Sequence, residues 1–156
     1  QHKIMDIYQL IQQNLPYILS LLLMLFMFKN LILAKVYKLE TISTEHAFHI
    51  FKEKTINSMF LDVRTDWELK RDPKIKKSKF IPLSELSGRI NEIKKGGVEK
   101  KIVIVCLNGG GRAKAAGIKL KKAGFSDVNV MKGGIMSWQR ADYPLSIPKT
   151  RNTSFG

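Results

Sequence analysis

The residues best suited to chemistry in this 156-residue chain are its one cysteine, Cys106, the run Leu107-Asn108-Gly109-Gly110-Gly111 that follows it, and Arg112. The thiolate, not the thiol, is the nucleophile, so the question is what stabilises the anion. Glycines let backbone N–H groups turn inward as an anion cradle. A helix start adds partial positive charge, and Arg112 and Lys114 bring full charges. Each favours thiolate over thiol, and the same cradle suits a small oxyanion. Free cysteine is also among the most buried residue types and often only packs. The glycine run and an arginine within one helical turn favour a working thiol. A lone cysteine makes no intramolecular disulfide, so the chain does not read as an oxidised secreted scaffold.

Such a thiol needs a strand to deliver it. Lys101-Ile102-Val103-Ile104-Val105 is β-branched and apolar on both faces, the pattern of a central strand covered by helices on either side, and it runs straight into Cys106. A helix over residues 112–123 follows, stopped by Gly124 in a left-handed cap position. The C-terminal end of a central strand is where α/β sheets build binding sites.

The remaining elements alternate in the same way. Ser43 caps a helix reaching about Lys52, with Ala47, Phe48 and Phe51 on its buried side. Residues 59–63 form an apolar strand that delivers Asp62 and Arg64 at its end. Thr65-Asp66-Trp67-Glu68 is a capping box opening a short helix that Asp72-Pro73 closes. Phe80-Ile81 reads as a brief strand, and Ser84 as the start of a helix carrying Leu86, Ile90 and Ile93 up to Gly96-Gly97. Residues 128–131 make a further strand, Gly133-Gly134 a turn and residues 135–140 a last helix. Alternation at these lengths predicts an open α/β sheet with right-handed crossovers.

Ahead of this domain, LPYILSLLLMLFMF and, after Lys29-Asn30, LILA make one candidate membrane span over residues 15–36, preceded by a short segment, 1–14. Lys29 would snorkel toward head groups. A signal peptide would carry a basic leader and a small-residue cleavage site, and neither is evident. Lys29, Lys35 and Lys38 on the C-terminal side, against Lys3 on the other, place the soluble domain (residues 37–148) in the cytoplasm, where a single thiol stays reduced. Residues 149–156 read as a flexible tail.

The net charge of +14 comes mostly from scattered lysines, without arginine clusters, RNP-type aromatics or a helix-turn-helix, so nucleic acid is not an expected partner. His2, His46 and His49 have no further ligands at metal-binding spacing, and no metal is expected. Asp62 and Arg64 could support the active loop, an ion pair at the strand end being the favoured reading. Glu68 reads as a helix cap, and Trp67 and Trp138 as packing.

Three blocks in order resemble the rhodanese family: FLDVRTDWELKRDPKIKKSKFIPLSEL, KIVIVCLNGGGRAKAAGIKLKKAGF and VNVMKGGIMSWQRADYPL, spanning residues 39–148. The resemblance implies a rhodanese-like open parallel sheet with helices on both faces, preceded by one N-terminal transmembrane helix. It implies sulfurtransferase chemistry with Cys106 as nucleophile and persulfide carrier. The loop Leu107, Asn108, Gly109, Gly110, Gly111 and Arg112 would bind the anion, and no cofactor is called for. The implied partners are a thiosulfate-like donor, a thiol or protein sulfur acceptor, and a bilayer around residues 15–36. The layout looks like small bacterial rhodaneses anchored in the inner membrane. Two departures stand out. Lys74 replaces the family's usual histidine, and Arg112 gives Cys-x5-Arg, one residue longer than the common rhodanese spacing. That spacing is shared with cysteine phosphatases and arsenate reductases related to this fold. Those activities, and a silent membrane-tethered binding module, are the alternatives.

Overall fold

A computed structural model describes residues 2–146. Helix α1 (His2–Val36) leads into strand β1 (Glu40–Ile42), then α2 (Thr44–Lys52), β2 (Ser58–Asp62), α3 (Asp66–Arg71) and the two-residue strands β3 (Lys74–Ile75) and β4 (Lys79–Phe80). Helix α4 (Leu86–Lys94), β5 (Lys101–Val105), α5 (Gly111–Lys122), β6 (Val128–Met131), α6 (Gly134–Arg140) and β7 (Leu145–Ser146) complete it. Five strands form one parallel sheet in the order β1-β6-β5-β2-β4, with β5 at its centre.

Alternate side chains of the sheet feed two cores, as a pleated strand buried on both faces requires. Leu61, Ile102, Ile104, Val128 and Val130 pack with Leu86 and Ile93 of α4 and Ala113, Ala116 and Leu120 of α5. Phe60, Val103, Val105 and Met131 face the other way, against Ala47 and Ile50 of α2 and Ile135 and Trp138 of α6. Helices therefore cover both faces, as expected.

Local signals set most boundaries. The Ser43 side chain accepts the His46 N–H at 3.1 Å and starts α2. Thr65 and Glu68 form the full capping box of α3, and Gly124 takes φ +98° beyond α5. Phe48 and Phe51 are half-buried, while Thr44 and Ile50 join Ala47 in the buried set of α2. The fourth helix departs from expectation. It begins at Leu86, with Glu85 at its N-cap and no side-chain cap bond, because the Glu85 N–H is turned back onto the Pro82 carbonyl at 2.9 Å.

Three strands lie outside the sequence reading. β1 pairs with β6 at the sheet edge, and β3 pairs antiparallel with β7 to form a separate ribbon. Helix α1 is longer than the apolar segment 15–36 and runs through Pro16. Its apolar stretch Met5–Lys29 has mean hydropathy 1.6 and is wholly unburied. At 1.5 Å per residue that stretch is about 37 Å long, enough to cross a hydrocarbon core of about 30 Å. Among the described side chains of α1 only Ala34, near the helix end, is buried. The tail expected at 149–156 falls outside the described residues.

Candidate active site

The chain runs from β2 out to β4 at one sheet edge, then returns to β5 on the other side of β2, so the winding reverses between β2 and β5. Adjacent strands whose connections leave in opposite directions open a crevice at their C-terminal ends. Cys106 follows β5 there, 1% exposed.

The loop is held from two sides. Its start is bound by α6: the Ile135 N–H donates to the Cys106 carbonyl at 2.9 Å and the Met136 N–H to the Leu107 carbonyl at 3.2 Å. First-turn amides of a helix have no carbonyl a turn behind them, and here they serve the loop instead. This approach explains Gly134, which has φ +54° and where a Cβ would run into the Cys106 carbonyl and the Asn108 nitrogen. Gly109, at φ +72°, is needed because a Cβ there would meet the Met131 carbonyl and the Gly133 nitrogen. Within the loop, Asn108 Oδ1 accepts the Gly110 N–H at 3.1 Å and lies 4.0 Å from Cys106 Sγ. Helix α5 then opens at Gly111 with no side chain capping it, leaving the first-turn N–H groups of Gly111, Arg112 and Ala113 for a ligand.

Arg112 does not stand as an unpaired cation over the thiol. Its guanidinium binds Glu68 through both terminal nitrogens, Nη1 to Oε2 at 2.6 Å and Nη2 to Oε1 at 2.8 Å. Glu68 keeps its cap role as well, accepting the Thr65 N–H at 2.9 Å. Hydrogen bonding from Arg112 is the largest cause that lowers the Glu68 pKa, to about 2, with Thr65 assisting against the opposing effect of burial. Arg112 is raised in turn, first by its bond to Glu68, and the field of Cys106 adds to this. This pair was not visible in the sequence reading. Its partners lie 44 residues apart, and the capping pattern already accounted for Glu68.

Asp62 and Arg64 form a buried ion pair at the end of β2, with Nη2 to Oδ2 at 2.8 Å and side chains 1% and 0% exposed. Arg64 Nη2 also donates to the Pro73 carbonyl at 2.9 Å, tying the strand end to the segment before β3. The pair builds the floor beside the site and makes no hydrogen bond to the loop. Lys74 lies half-buried in β3. Trp138 is fully buried among Phe48, Phe51, Phe60 and Tyr143, and its indole N–H donates to the Pro144 carbonyl at 3.2 Å. Trp67 is exposed, with the Arg71 guanidinium stacked 4.3 Å over its ring. Beside the loop an open cleft of about 550 Å³ is lined by Ser43, Thr44, Glu45, Asn108, Lys132, Gly133 and Ser137.

A parallel sheet wound both ways, with a buried thiol and a glycine loop at its crevice, defines an α/β domain built around a cysteine loop. The rhodanese-like domain model matches residues 47–141, and the chain belongs to that family. Among solved structures, it is 30% identical to a rhodanese-related protein from Thermoplasma volcanium, with TM-score 0.58, covering 69% of this chain and 98% of that one. A rhodanese-like domain protein from Staphylococcus aureus is 26% identical, with TM-score 0.57 over 70% of this chain and 98% of that one. A protein from Rhodopseudomonas palustris described as a possible tyrosine phosphatase is 25% identical, with TM-score 0.63 over 70% and 86%. No curated protein matches the chain.

Proposed function

We propose that the protein is a sulfurtransferase that carries sulfane sulfur as a persulfide on Cys106, anchored in a membrane through α1. The observation that carries this reading is that the two carboxylates built into the site's walls, Asp62 and Glu68, are each committed to an arginine; Glu45 lines the cleft beside the loop and Asp66 opens α3. Asp62 is bound to Arg64, and Glu68 is held ionised by Arg112 with a pKa of about 2. Ester hydrolysis needs an acid to protonate the leaving oxygen; the Glu68 carboxylate is held by Arg112 and Asp62 is buried against Arg64, so neither is placed to give one. Sulfur transfer needs no such acid. The Cys106 thiolate attacks the outer sulfur of thiosulfate, the sulfur–sulfur bond of the donor breaks, and sulfite leaves with the electron pair. An acceptor then attacks the outer sulfur of the persulfide, and the thiolate on Cys106 is restored.

The remaining donors suit a small anion. The Gly110 N–H is taken by Asn108 and Arg112 spends one N–H of each terminal nitrogen on Glu68, which leaves the first-turn amides of α5 and the other Arg112 N–H groups for an anion. The Cys-x5-Arg spacing and the likeness to the possible tyrosine phosphatase favour phosphatase chemistry as the second reading. Lys29, Lys35 and Lys38 support a cytoplasmic placement of the domain by their excess over the N-terminal side. Donor and acceptor are a thiosulfate-like ion and a thiol.

The test is intact mass of the full chain in neutral detergent after thiosulfate treatment. A reductant-sensitive gain of one sulfur on Cys106, absent in Cys106→Ser, is expected. No gain together with Cys106-dependent hydrolysis of p-nitrophenyl phosphate would replace the proposal with the second reading. Neither activity would leave a tethered binding module. Resistance to alkaline extraction and protection from external protease in spheroplasts test the anchor and its orientation.

A further inference from the structure

Beyond α1, the exposed large apolar side chains among the described residues are Trp67, 64% exposed, and Met136, 45% exposed. Isolated apolar residues on a surface need no explanation. These two, however, bracket one loop. Met136 donates its N–H to Leu107 at the loop's start, and Trp67 directly precedes Glu68, which grips Arg112 at its end. Each is associated with a cation: Arg71 lies over the Trp67 ring, and Arg140 Nε donates to the Met136 carbonyl at 3.3 Å.

The charge around them has one prevailing sign. Lys70 follows Trp67 by three residues, Lys132 borders the cleft beside the loop, and Lys114 lies in the first turns of α5. None of these three is in a salt bridge among the described residues. Asp66 and Glu45 are the acids nearby that lack an ion pair. Residues 37–146 carry 22 Lys and Arg against 12 Asp and Glu.

Resting on the sulfur-transfer reading, we infer that this face docks an acidic protein segment presenting a cysteine, and that this cysteine takes the sulfur from Cys106. A small thiol would touch the loop alone and gain nothing from anchors at both of its ends. A peptide chain crossing the loop reaches both. Aromatic anchors dominate binding where water is excluded, and complementary charge speeds encounter. Cys106 is itself buried, but the outer sulfur of its persulfide stands one bond nearer the mouth. The partner's thiolate attacks that sulfur, a new sulfur–sulfur bond forms on the partner, and the bond to Cys106 breaks with its electron pair left on Sγ. The negative charge of the outer sulfur travels with it, so the partner is left as a persulfide anion and Cys106 as the thiolate.

The experiment charges the full chain with thiosulfate in neutral detergent and follows discharge to three acceptors. These are a synthetic peptide with one cysteine among Asp, Glu, Leu and Phe, the same peptide with Lys in place of the acids, and cyanide. The acidic peptide should be persulfidated about tenfold faster than the basic one at low salt, an advantage that shrinks as salt screens the charges. Trp67→Ala and Lys70→Glu should each slow transfer to the acidic peptide about threefold or more, the scale of an interface contact worth under 1 kcal/mol, with the cyanide rate unchanged. Equal rates for the two peptides, or variants that slow cyanide equally, would overturn the docking inference and leave the sulfur carrier intact. Failure to form any persulfide would remove both.

Discussion

Replacing Glu68 with Gln isolates the ion pair that fixes Arg112 beside the loop. Glutamine also serves in a capping box, so the start of α3 is preserved while the negative charge is lost. The carboxyl falls from its ordinary 4.5 to about 2 on folding. Each tenfold change in proton affinity corresponds to about 1.4 kcal/mol, which sets a ceiling of about 3 kcal/mol for the whole depression. The Arg112 side chain is 37% exposed, and water there screens the pair. About 1–2 kcal/mol is the figure to expect. For a domain of this size that is about 4–10 °C in Tm. The pH dependence follows from the direction of the shift. A depressed carboxylate contributes fully above its unfolded pKa, and the contribution disappears as pH falls through the folded value. Thermal unfolding of the full chain in neutral detergent should show Glu68→Gln clearly less stable at pH 7. The gap should begin to close below pH 4.5 and be nearly gone close to pH 2. Equal stability at pH 7, or a gap of the same size at both ends of that window, would refute the ion pair as a stabilising contact.

Three further outcomes follow from the packing. Asp62→Ala strands the buried Arg64 guanidinium and should cost about 3–5 kcal/mol in denaturant unfolding, and a loss below about 1 kcal/mol would show the charge is relieved elsewhere. Trp138→Ala empties the aromatic cluster under α6 and should cost about 3–5 kcal/mol by the same measurement, with tolerance of the change counting against a well-packed site. Gly134→Ala places a side chain at φ +54°, a strain of about 1–3 kcal/mol, against the carbonyl of Cys106. Iodoacetamide should then alkylate Cys106 faster than in the parent protein, and an unchanged rate would mean that α6 does not hold the loop shut.

The parts legible in the sequence are those whose cause is local. Residues 101–105 are apolar on both faces because both faces are buried, and the strand, its centrality and the thiol at its end followed from that alone. The Thr65 capping box and the Gly124 cap are similarly local. What escaped depends on partners distant in the chain. Glu40-Thr41-Ile42 has a single apolar residue and becomes a strand only by pairing with β6, while β3 and β7 exist only through each other. Helix α1 continues back from Leu15 through Gln12, Gln13 and Asn14, where hydropathy is broken but Asn14 Nδ2 can donate to the Leu10 carbonyl within the helix. At the site the thiol and its glycines were readable. The closing of Arg112 onto Glu68 was not, because no spacing rule connects the end of one strand's loop to the start of another's helix.

Only residues 37–39 separate α1 from the first strand, and their N–H groups all bond back to α1, Tyr37 to Leu33, Lys38 to Lys35 and Leu39 to Ala34. Leu39 then packs into the core beneath α5. The joint therefore has no slack, and the coupling resembles a mast more than a leash. Whatever holds α1 sets the heading of the domain as well as its location, so the mouth over Cys106 presents one bearing to its surroundings.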